Sequence, residues 1–233
     1  MGKFFPTFRI CVFASSTMAE RIELQQVCPD TLPVHAQGFS QIWHSDFVFQ
    51  KGEQILLTAP SGKGKSTFIS LLYGLRRDYS GHFKIDGLET RQFSAARWSD
   101  YRANEMSIVF QDLRLFMEYS AVDNLRIKAN LQENEWDNDL VMGMAERLGV
   151  ERLLEQKCHS LSYGERQRIA ILRSLIQTAD FRIMDEPFSH LDDANAAKAL
   201  ELVVEVSKNQ GSGLLITSLG SDYGWFYDRI VLL

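Results

Sequence analysis

This chain of 233 residues lacks three features that would point to particular functions: a paired set of cysteines, a long apolar run and an excess of basic residues. Its three cysteines, Cys11, Cys28 and Cys158, are odd in number and far apart, so they suit neither a disulfide framework nor a zinc site and favour a reducing compartment. No uninterrupted apolar run approaches the ~20 residues that a membrane-spanning helix needs. Basic residues are not in excess, because the formal net charge is −5, and this balance argues against a nucleic-acid partner.

The composition is that of a soluble globular protein, with 45% hydrophobic and 24% charged residues. The length fits one α/β domain, or one such domain with an inserted lobe. Pro6 and Arg9 interrupt the first apolar stretch, which therefore lacks the unbroken core of a signal peptide. We expect residues 1–17 to be a disordered leader or an over-extended start, and the domain to cover residues 18–233.

A glycine-rich segment, Ala59–Thr67, is the most informative feature of the chain. It follows a strand-like run, Gln54–Thr58, and opens onto a helical run, Ser66–Tyr73, so we favour a phosphate-binding loop over a turn that binds nothing. Such a loop aims backbone N–H groups and the helix dipole at one point. Ala59 replaces the usual first glycine and is tolerable if its φ stays negative. The candidate phosphate-binding residues are Ser61, Gly62, Lys63, Gly64, Lys65, Ser66 and Thr67.

The hydrophobic pattern predicts two β layers and several helices. Ile22–Val27 is typical of an edge strand, and with Phe39–Phe49 and Gly81–Asp86 it predicts a small antiparallel layer. Further on, strand-like and helical runs alternate, which predicts a largely parallel sheet covered on both faces. Residues from about 112 to 160 are expected to form a helical insertion. The later strands are Ser107–Phe110, Phe181–Met184 and Leu214–Thr217, and the helices are Asn138–Leu148, Gly164–Thr178 and Ala194–Lys208.

Two carboxylates, Asp185 and Glu186, follow one of these strands. In nucleotide hydrolysis one carboxylate holds Mg²⁺ and a second polarises the attacking water. Before the same strand, Ser162 and Glu165 have the spacing of a capping box, and Ser162 with Gly164 adds a second anion-binding helix end. One nucleotide does not need two such ends in one subunit, whereas two subunits that share their nucleotides do.

With these motifs in order, the chain resembles the ATP-binding subunit of an ABC transporter over about residues 18–233. The segment 109–116 is similar to the subgroup of lipoprotein-release, macrolide-efflux and cell-division ATPases. The order and spacing of five motifs make the resemblance highly specific. They are the phosphate loop that ends in Gly64–Thr67, the glutamine Gln111, the signature Leu161–Glu165, the second nucleotide motif Asp185–Pro187 and the dimer loop Ser189–Asp192.

The resemblance implies a P-loop NTPase core of the RecA-like α/β class, with an antiparallel β subdomain and an inserted α-helical subdomain. It also implies a head-to-tail dimer that binds two ATP molecules, each between the phosphate loop of one subunit and the signature of the other. The implied roles are Lys65 as a phosphate contact, Glu186 as the general base, Ser66, Asp185 and Gln111 as the groups that arrange Mg²⁺ and water, and Ser162, Gly164 and Glu165 as contacts to the second subunit's nucleotide.

The implied partners follow from the same resemblance. The helical insertion and the Gln111 region are expected to contact a membrane-embedded transporter subunit, whose motion dimer closure drives. The dimer is homo- or heteromeric, and no nucleic acid is expected. The subunit is expected to be cytoplasmic and peripheral, on the cytoplasmic face of the inner (plasma) membrane.

The chain departs from the family pattern at three further positions. Tyr163 replaces the first glycine of the signature, and Arg182 lies in a strand that is usually buried on both faces. Ser218 stands where the family places a switch histidine, which makes it a third candidate catalytic position beside Glu186 and Gln111. A histidine there would reach the terminal phosphate; either hydrolysis is attenuated in this chain or another group has taken over the role.

Two classes of function therefore stay open at this point. The first is an active ATPase that powers a transporter, which the intact Glu186 favours. The second is a hydrolysis-attenuated nucleotide-dependent clamp or regulatory subunit, which Ser218 favours. A soluble ABC protein that acts on ribosomes or DNA is disfavoured, because such proteins carry two such domains or long coiled-coil insertions. Phe39 and Trp43 are both candidates for stacking on adenine.

Overall fold

The computed structural model of the chain describes residues 19–30, 32, 40–60, 62–132 and 136–233. The predicted leader at residues 1–17, the loop residue Ser61 and the stacking candidate Phe39 lie outside the described residues. The elements, in chain order, are β1 (Arg21–Pro29), β2 (Asp46–Gln50), β3 (Gln54–Thr58), α1 (Lys65–Leu72), β4 (Tyr79–Ile85), β5 (Leu88–Glu89), α2 (Ala95–Asp100), β6 (Met106–Val109), α3 (Ala121–Asn130), α4 (Asn138–Leu148), α5 (Tyr163–Ile176), β7 (Phe181–Met184), α6 (Asp193–Gln210), β8 (Gly213–Ser218) and β9 (Arg229–Leu232).

The antiparallel layer is a sheet with the strand order β2-β1-β4-β5. The expectation that Ile22–Val27 forms an edge strand is wrong, because β1 pairs with β2 on one side and with β4 on the other. Ile22, for example, lies opposite Phe49 in β2 and Ile85 in β4. The predicted strand over Phe39–Phe49 begins only at Asp46, since the residues just before it form turns.

The second sheet is parallel, with the order β6-β7-β8-β3-β9. Its strands β3, β7 and β8 are buried on both faces, as predicted from the alternation of strands and helices, whereas the edge strand β9 is mostly exposed. Leu57 and Ile183 pack into a core shared with the antiparallel sheet and α1. Leu56 and Met184 face the opposite way, into a core shared with α3, α4, α5 and α6. The parallel sheet therefore separates two hydrophobic cores and carries the ends of β3, β7 and β8 to one edge.

The segment between β6 and α5 is helical and contains α3 and α4. The predicted helix Asn138–Leu148 has the predicted bounds, because Asp137 caps its start and Gly149 ends it in the left-handed conformation. Helix α5 ends at Ile176 rather than at Thr178, because Gln177 is extended and its side chain donates to backbone carbonyls near β6. None of the helices in the described part of the chain has the length and apolarity that a bilayer crossing requires.

Arg182 is accommodated inside the sheet by the ends of two helices. Its side chain is fully buried. Its guanidinium donates to the carbonyl of Ser174 in the last turn of α5 and to that of Gln177 just after the helix, both at 3.2 Å, and to Gln210 Oε1 at the end of α6, at 2.8 Å. Burial lowers the pKa of Arg182 to about 10. A cation at the C-terminal end of a helix complements its dipole. The Ser174 carbonyl also accepts from Ser107 Oγ at 2.8 Å, so the arginine in β7 is the donor that the buried Gln177 carbonyl depends on.

We expect Arg182→Met to lower the free energy of unfolding by about 2 kcal/mol, because the change leaves the buried carbonyl of Gln177 without its donor. Urea denaturation of the parent and the variant measures this difference. Arg152→Met is the matched control, since the Arg152 side chain is 92% exposed. An unchanged or higher midpoint for Arg182→Met would show that the cost of burying the guanidinium outweighs its hydrogen bonds.

Candidate functional site

The phosphate loop joins β3 to α1 and contains glycine where the backbone turns sharply. Gly62 and Gly64 have φ angles of 78° and 100°, which favour glycine. A side chain at Gly64 would also be crowded, because its Cβ would lie 3.1 Å from Leu32 Cδ1 and 3.3 Å from Trp43 Nε1. Ala59 is buried and its φ is not positive, which is the condition under which alanine can replace glycine at this position. The loop therefore tolerates alanine at its start and needs glycine at Gly64.

Lys65 extends from the first residue of α1 back across the loop. Its Nζ donates to the carbonyls of Ala59 at 2.7 Å and Pro60 at 3.4 Å, and it lies 3.3 Å from Glu186 Oε1. The Lys65 side chain is only 7% exposed. Thr67 lies half-buried in the first turn of α1. The cation of Lys65 is thus held between the phosphate loop and the acidic pair.

The acidic pair lies at the end of β7, beside the phosphate loop. Asp185 Oδ2 accepts a hydrogen bond from Ser66 Oγ at 3.4 Å, and Asp185 Oδ1 accepts one from Thr217 Oγ1 at 2.8 Å. Burial is the main cause that raises the pKa of Asp185, and the charge of Glu186 adds to it, while the hydrogen bond from Thr217 lowers it. A cation near Asp185 would offset that cost. Ser66 and Asp185, predicted together as metal ligands, do lie together.

Thr217 and Gln167 hold this pair in place, and neither was predicted. Thr217 Oγ1 accepts the backbone N–H of Glu186 at 2.9 Å, and Glu186 has a φ of 48°. Gln167, buried in α5, donates from Nε2 to the Glu186 carbonyl at 3.2 Å and accepts the His190 N–H at 3.3 Å. Of these two residues, only Thr217 has a weak signal in the sequence, because it directly precedes the candidate catalytic residue Ser218 at the end of β8.

The signature residues form the N-terminus of α5. Ser162 caps the helix and Glu165 completes the predicted capping box, with Glu165 Oε2 accepting from the Ser162 N–H and Oγ at 2.8 Å. The backbone hydrogen bond from Ser162 lowers the pKa of Glu165. A Cβ on Gly164 would lie 3.2 Å from the His190 carbonyl, so the helix end approaches the dimer loop closely. Across the described ranges, no hydrogen bond joins these residues to the phosphate loop.

Gln111 lies exposed in the turn after β6, and the structure does not bring its side chain to the other predicted ligands. Among the described residues, no hydrogen bond joins that side chain to Ser66, Asp185 or Glu186. Its carbonyl instead accepts the Tyr163 hydroxyl at 2.8 Å. The aromatic residue in the signature therefore ties the Gln111 turn to the start of α5.

Ser218 ends β8 and is buried at 1% exposure. Its Oγ accepts the Gly220 N–H at 3.1 Å. Trp43, the described stacking candidate, is 3% exposed, and its ring meets Phe68 edge-on at 5.9 Å between centroids. Its burial in the core leaves no ring face for adenine.

The family model described as ABC transporter matches residues 43–189. The chain belongs to the ABC transporter family. It is 30% identical over 191 residues to the lipoprotein-releasing system ATP-binding protein LolD of Legionella pneumophila (strain Lens), covering 81% of this chain and 84% of that protein. It is 32% identical over 204 residues to the thiamine import ATP-binding protein ThiQ of Aliivibrio fischeri (strain ATCC 700601 / ES114), covering 83% and 85%.

Solved structures of ABC transporter proteins share the fold. The dimeric structure of MJ0796, a bacterial ABC transporter cassette, superposes with a TM-score of 0.79 at 21% identity and covers 91% of this chain and 94% of that one. The post-hydrolysis state of the same cassette, bound to ADP and Pi, gives 0.78 at 22% identity with the same coverage. The predicted family and P-loop NTPase fold are confirmed. The main prediction, an ATP-binding and hydrolysing transporter subunit, is supported, whereas the attenuated clamp gains no support.

Proposed function

We propose that this ABC transporter subunit binds and hydrolyses Mg-ATP where its phosphate loop meets Asp185 and Glu186. The observation that carries the proposal is the convergence of two contacts from consecutive residues of α1. Lys65 Nζ lies 3.3 Å from Glu186 Oε1, and Ser66 Oγ lies 3.4 Å from Asp185 Oδ2. Groups held in fixed positions can stabilise developing charge without first reorganising, which is the main source of catalysis in phosphoryl transfer.

The donor set fits Mg²⁺. Ser66 and Asp185 offer a hydroxyl and a carboxylate oxygen, and Mg²⁺ is usually held by one or two carboxylates together with phosphate oxygens and water. When bound, the ion neutralises charge on the β- and γ-phosphates. Lys65 contacts those phosphates, and Glu186 accepts the proton of the attacking water. Gln111 is assigned to the same water on the basis of the family resemblance.

The exposed signature supports a shared site. Ser162 lies on the surface at the N-terminus of α5, and Gly164 and Glu165 lie half-buried beside it. Because this helix end has no hydrogen bond to the phosphate loop of its own subunit among the described residues, we assign it to the nucleotide of a second subunit in a homo- or heterodimer. A dimeric structure of MJ0796 supports this arrangement.

The assignment of the membrane partner rests on the Gln111 turn and the residues that follow it. Phe116 and Tyr119 are 52% and 54% exposed and lie close together, with 6.0 Å between their ring centroids. We assign this surface and the helical segment with α3 and α4 to a membrane-embedded transporter subunit. The chain then acts from the cytoplasmic face of the inner membrane, where it meets cellular ATP.

Steady-state ATPase activity of the purified chain, alone and in membranes that contain its transporter subunit, tests this function. We expect turnover that requires Mg²⁺ and increases when the transporter subunit is present. A clamp would give a different result, namely ATP-dependent dimers with no turnover in either preparation. That result would overturn the proposal.

A further inference from the structure

One hydrogen bond ties the turn after β6 to the start of α5. The hydroxyl of Tyr163, the first residue of α5, donates to the Gln111 carbonyl at 2.8 Å. Because the acceptor is a backbone oxygen, the contact fixes the position of the turn and leaves the Gln111 side chain unbound. A glycine, which the family pattern has in place of Tyr163, has no side chain to make this contact. The contact therefore depends on the residue at which this signature departs from the family pattern.

Tyr163 is itself held against the dimer loop. Its ring packs on that of His190, with 4.3 Å between the ring centroids. The His190 N–H donates to Gln167 Oε1 at 3.3 Å, and Gln167 Nε2 donates to the Glu186 carbonyl at 3.2 Å. A continuous series of contacts thus runs from the Gln111 turn through Tyr163 to the segment that carries the proposed general base.

The turn is strained, and a second side chain of α5 holds it. Leu113 and Arg114 have φ angles of 60° and 46°, which residues other than glycine rarely adopt. The Arg173 guanidinium donates to their carbonyls, at 2.6 Å to Leu113 and 2.7 Å to Arg114. Such conformations persist where the surroundings enforce them, and they concentrate at switch regions. Helix α5 therefore fixes the turn at two points, through Tyr163 and Arg173.

In this position the turn keeps Gln111 from its assigned role. The Gln111 side chain is exposed and, within the ranges that the structure describes, has no hydrogen bond to Ser66, Asp185 or Glu186. The proposed function assigns Gln111 to the attacking water, so the turn must move before this side chain can act. Movement of the turn away from α5 breaks the Tyr163 hydrogen bond, which therefore opposes that movement.

We propose that Tyr163 is a latch: its hydroxyl holds the Gln111 turn on α5 and keeps Gln111 away from the acidic pair until the transporter subunit displaces the turn. This inference rests on the proposed function, which places the transporter subunit on Phe116 and Tyr119, in the segment that continues from the turn. Tyr163 touches no reacting atom. It is a positioning residue that acts through Gln111.

Tyr163→Phe tests the latch, because phenylalanine keeps the ring contact with His190 and removes only the hydroxyl. We expect steady-state turnover of the chain alone to rise about fivefold, since one neutral hydrogen bond favours the latched position by about that factor. With the transporter subunit present the turn is already displaced, so that rate should not change and the stimulation should fall about fivefold. A variant that merely loses structure would slow in both preparations, and that result would overturn the proposal.

Tyr227→Phe is the matched control for the loss of a tyrosine hydroxyl. The Tyr227 hydroxyl is buried and has no hydrogen-bond partner within the described residues. Its removal should leave both rates and their ratio unchanged. An equal rise of the basal rate in Tyr163→Phe and Tyr227→Phe would overturn the assignment to Tyr163.

Gln111→Ala shows whether the effect of Tyr163 passes through Gln111. Alanine keeps the backbone carbonyl that accepts the hydrogen bond and removes the side chain that the latch is proposed to restrain. In this background Tyr163→Phe should no longer raise the basal rate, because the released turn brings no amide to the acidic pair. The same fivefold rise in both backgrounds would contradict a positioning role.

Hydrogen exchange of the purified chain without nucleotide tests the contact independently of hydrolysis. The N–H groups of Leu113 and Arg114 donate to carbonyls within the turn, at 2.9 Å to Phe110 and 2.7 Å to Asp112. We expect both amides to exchange about fivefold faster in Tyr163→Phe and at the parent rate in Tyr227→Phe, because loss of the latch makes local opening easier. Equal exchange in the parent and Tyr163→Phe would overturn the latch.

The parent protein distinguishes failure of this inference from failure of the proposed function. If the parent hydrolyses ATP and Tyr163→Phe has the same basal rate, Tyr163 is not a latch and the proposed function still stands. If the parent binds ATP and forms no phosphate with or without the transporter subunit, the proposed function fails and the regulatory role of Tyr163 fails with it.

Discussion

Lys65→Ala is expected to weaken ATP binding by about 100-fold or more. The ammonium group is the cation that the loop holds closest to the acidic pair, 3.3 Å from Glu186 Oε1. Each hydrogen bond to a charged group contributes about 1.5–3 kcal/mol, and every 1.4 kcal/mol is a factor of ten in the dissociation constant. Equilibrium binding of labelled ATP to the parent and the variant measures the loss.

Lys208→Ala provides the control for this prediction, since Lys208 is exposed in the last turn of α6, away from the site. It should bind ATP as the parent does. The melting temperature of Lys65→Ala is measured alongside, because Lys65 also donates to the carbonyls of Ala59 and Pro60. Unchanged binding in a folded Lys65→Ala variant would show that the phosphates bind elsewhere.

Glu186→Gln is expected to slow hydrolysis by about 10²–10⁴-fold, the usual contribution of a general base, and to leave nucleotide binding intact. Glutamine has the same size, and the hydrogen bond between the Glu186 N–H and Thr217 Oγ1 does not involve the side chain. ATP should therefore stay bound, and the dimer that it joins should accumulate. Size-exclusion chromatography with Mg-ATP measures the dimer.

Glu201→Gln is the matched control for this substitution, because Glu201 is exposed on α6 and has no hydrogen bond or ion pair with the described residues of the site. It should elute as the parent does under the same conditions. A Glu186→Gln variant that binds ATP tightly and remains a monomer at high protein concentration would contradict the shared site between two subunits.

The elements that the sequence predicted correctly are those whose bounds depend on residues close together in the chain. The helix Asn138–Leu148 has the predicted bounds because its apolar spacing, its capping aspartate and the glycine after it all lie within a few residues of one another. The phosphate loop was recognised for the same reason, as strand, glycines and helix are contiguous. The parallel strands β7 and β8 were found because each is a short apolar run between helices.

Features that depend on distant pairing were missed. The position of β1 at the centre of its sheet is set by β4, more than fifty residues away, and its own alternation does not indicate how many neighbours it has. Strand β9 was not predicted, although it pairs with β3 along its whole length. Arg182 looked out of place in an apolar strand because its partners, the ends of α5 and α6, come together only in the folded chain.

The same limit applies to the candidate site. Ser66, Asp185 and Glu186 were predicted from motifs, and the fold brings them next to Lys65. No motif in the sequence links the two residues that support them to this site. Thr217, at the end of β8, and Gln167, in α5, contact Glu186 only in the folded chain.

The central claim is that the cluster of Lys65, Asp185 and Glu186 hydrolyses ATP. Single-turnover formation of phosphate from terminally labelled Mg-ATP, with the protein in excess over nucleotide, tests it most directly. We predict that the parent converts all of the bound ATP to ADP and phosphate, that removal of Mg²⁺ stops the reaction, and that Glu186→Gln keeps its ATP intact over the same time. Tight binding of ATP by the parent with no phosphate formed, or equal rates in the parent and Glu186→Gln, would contradict the claim.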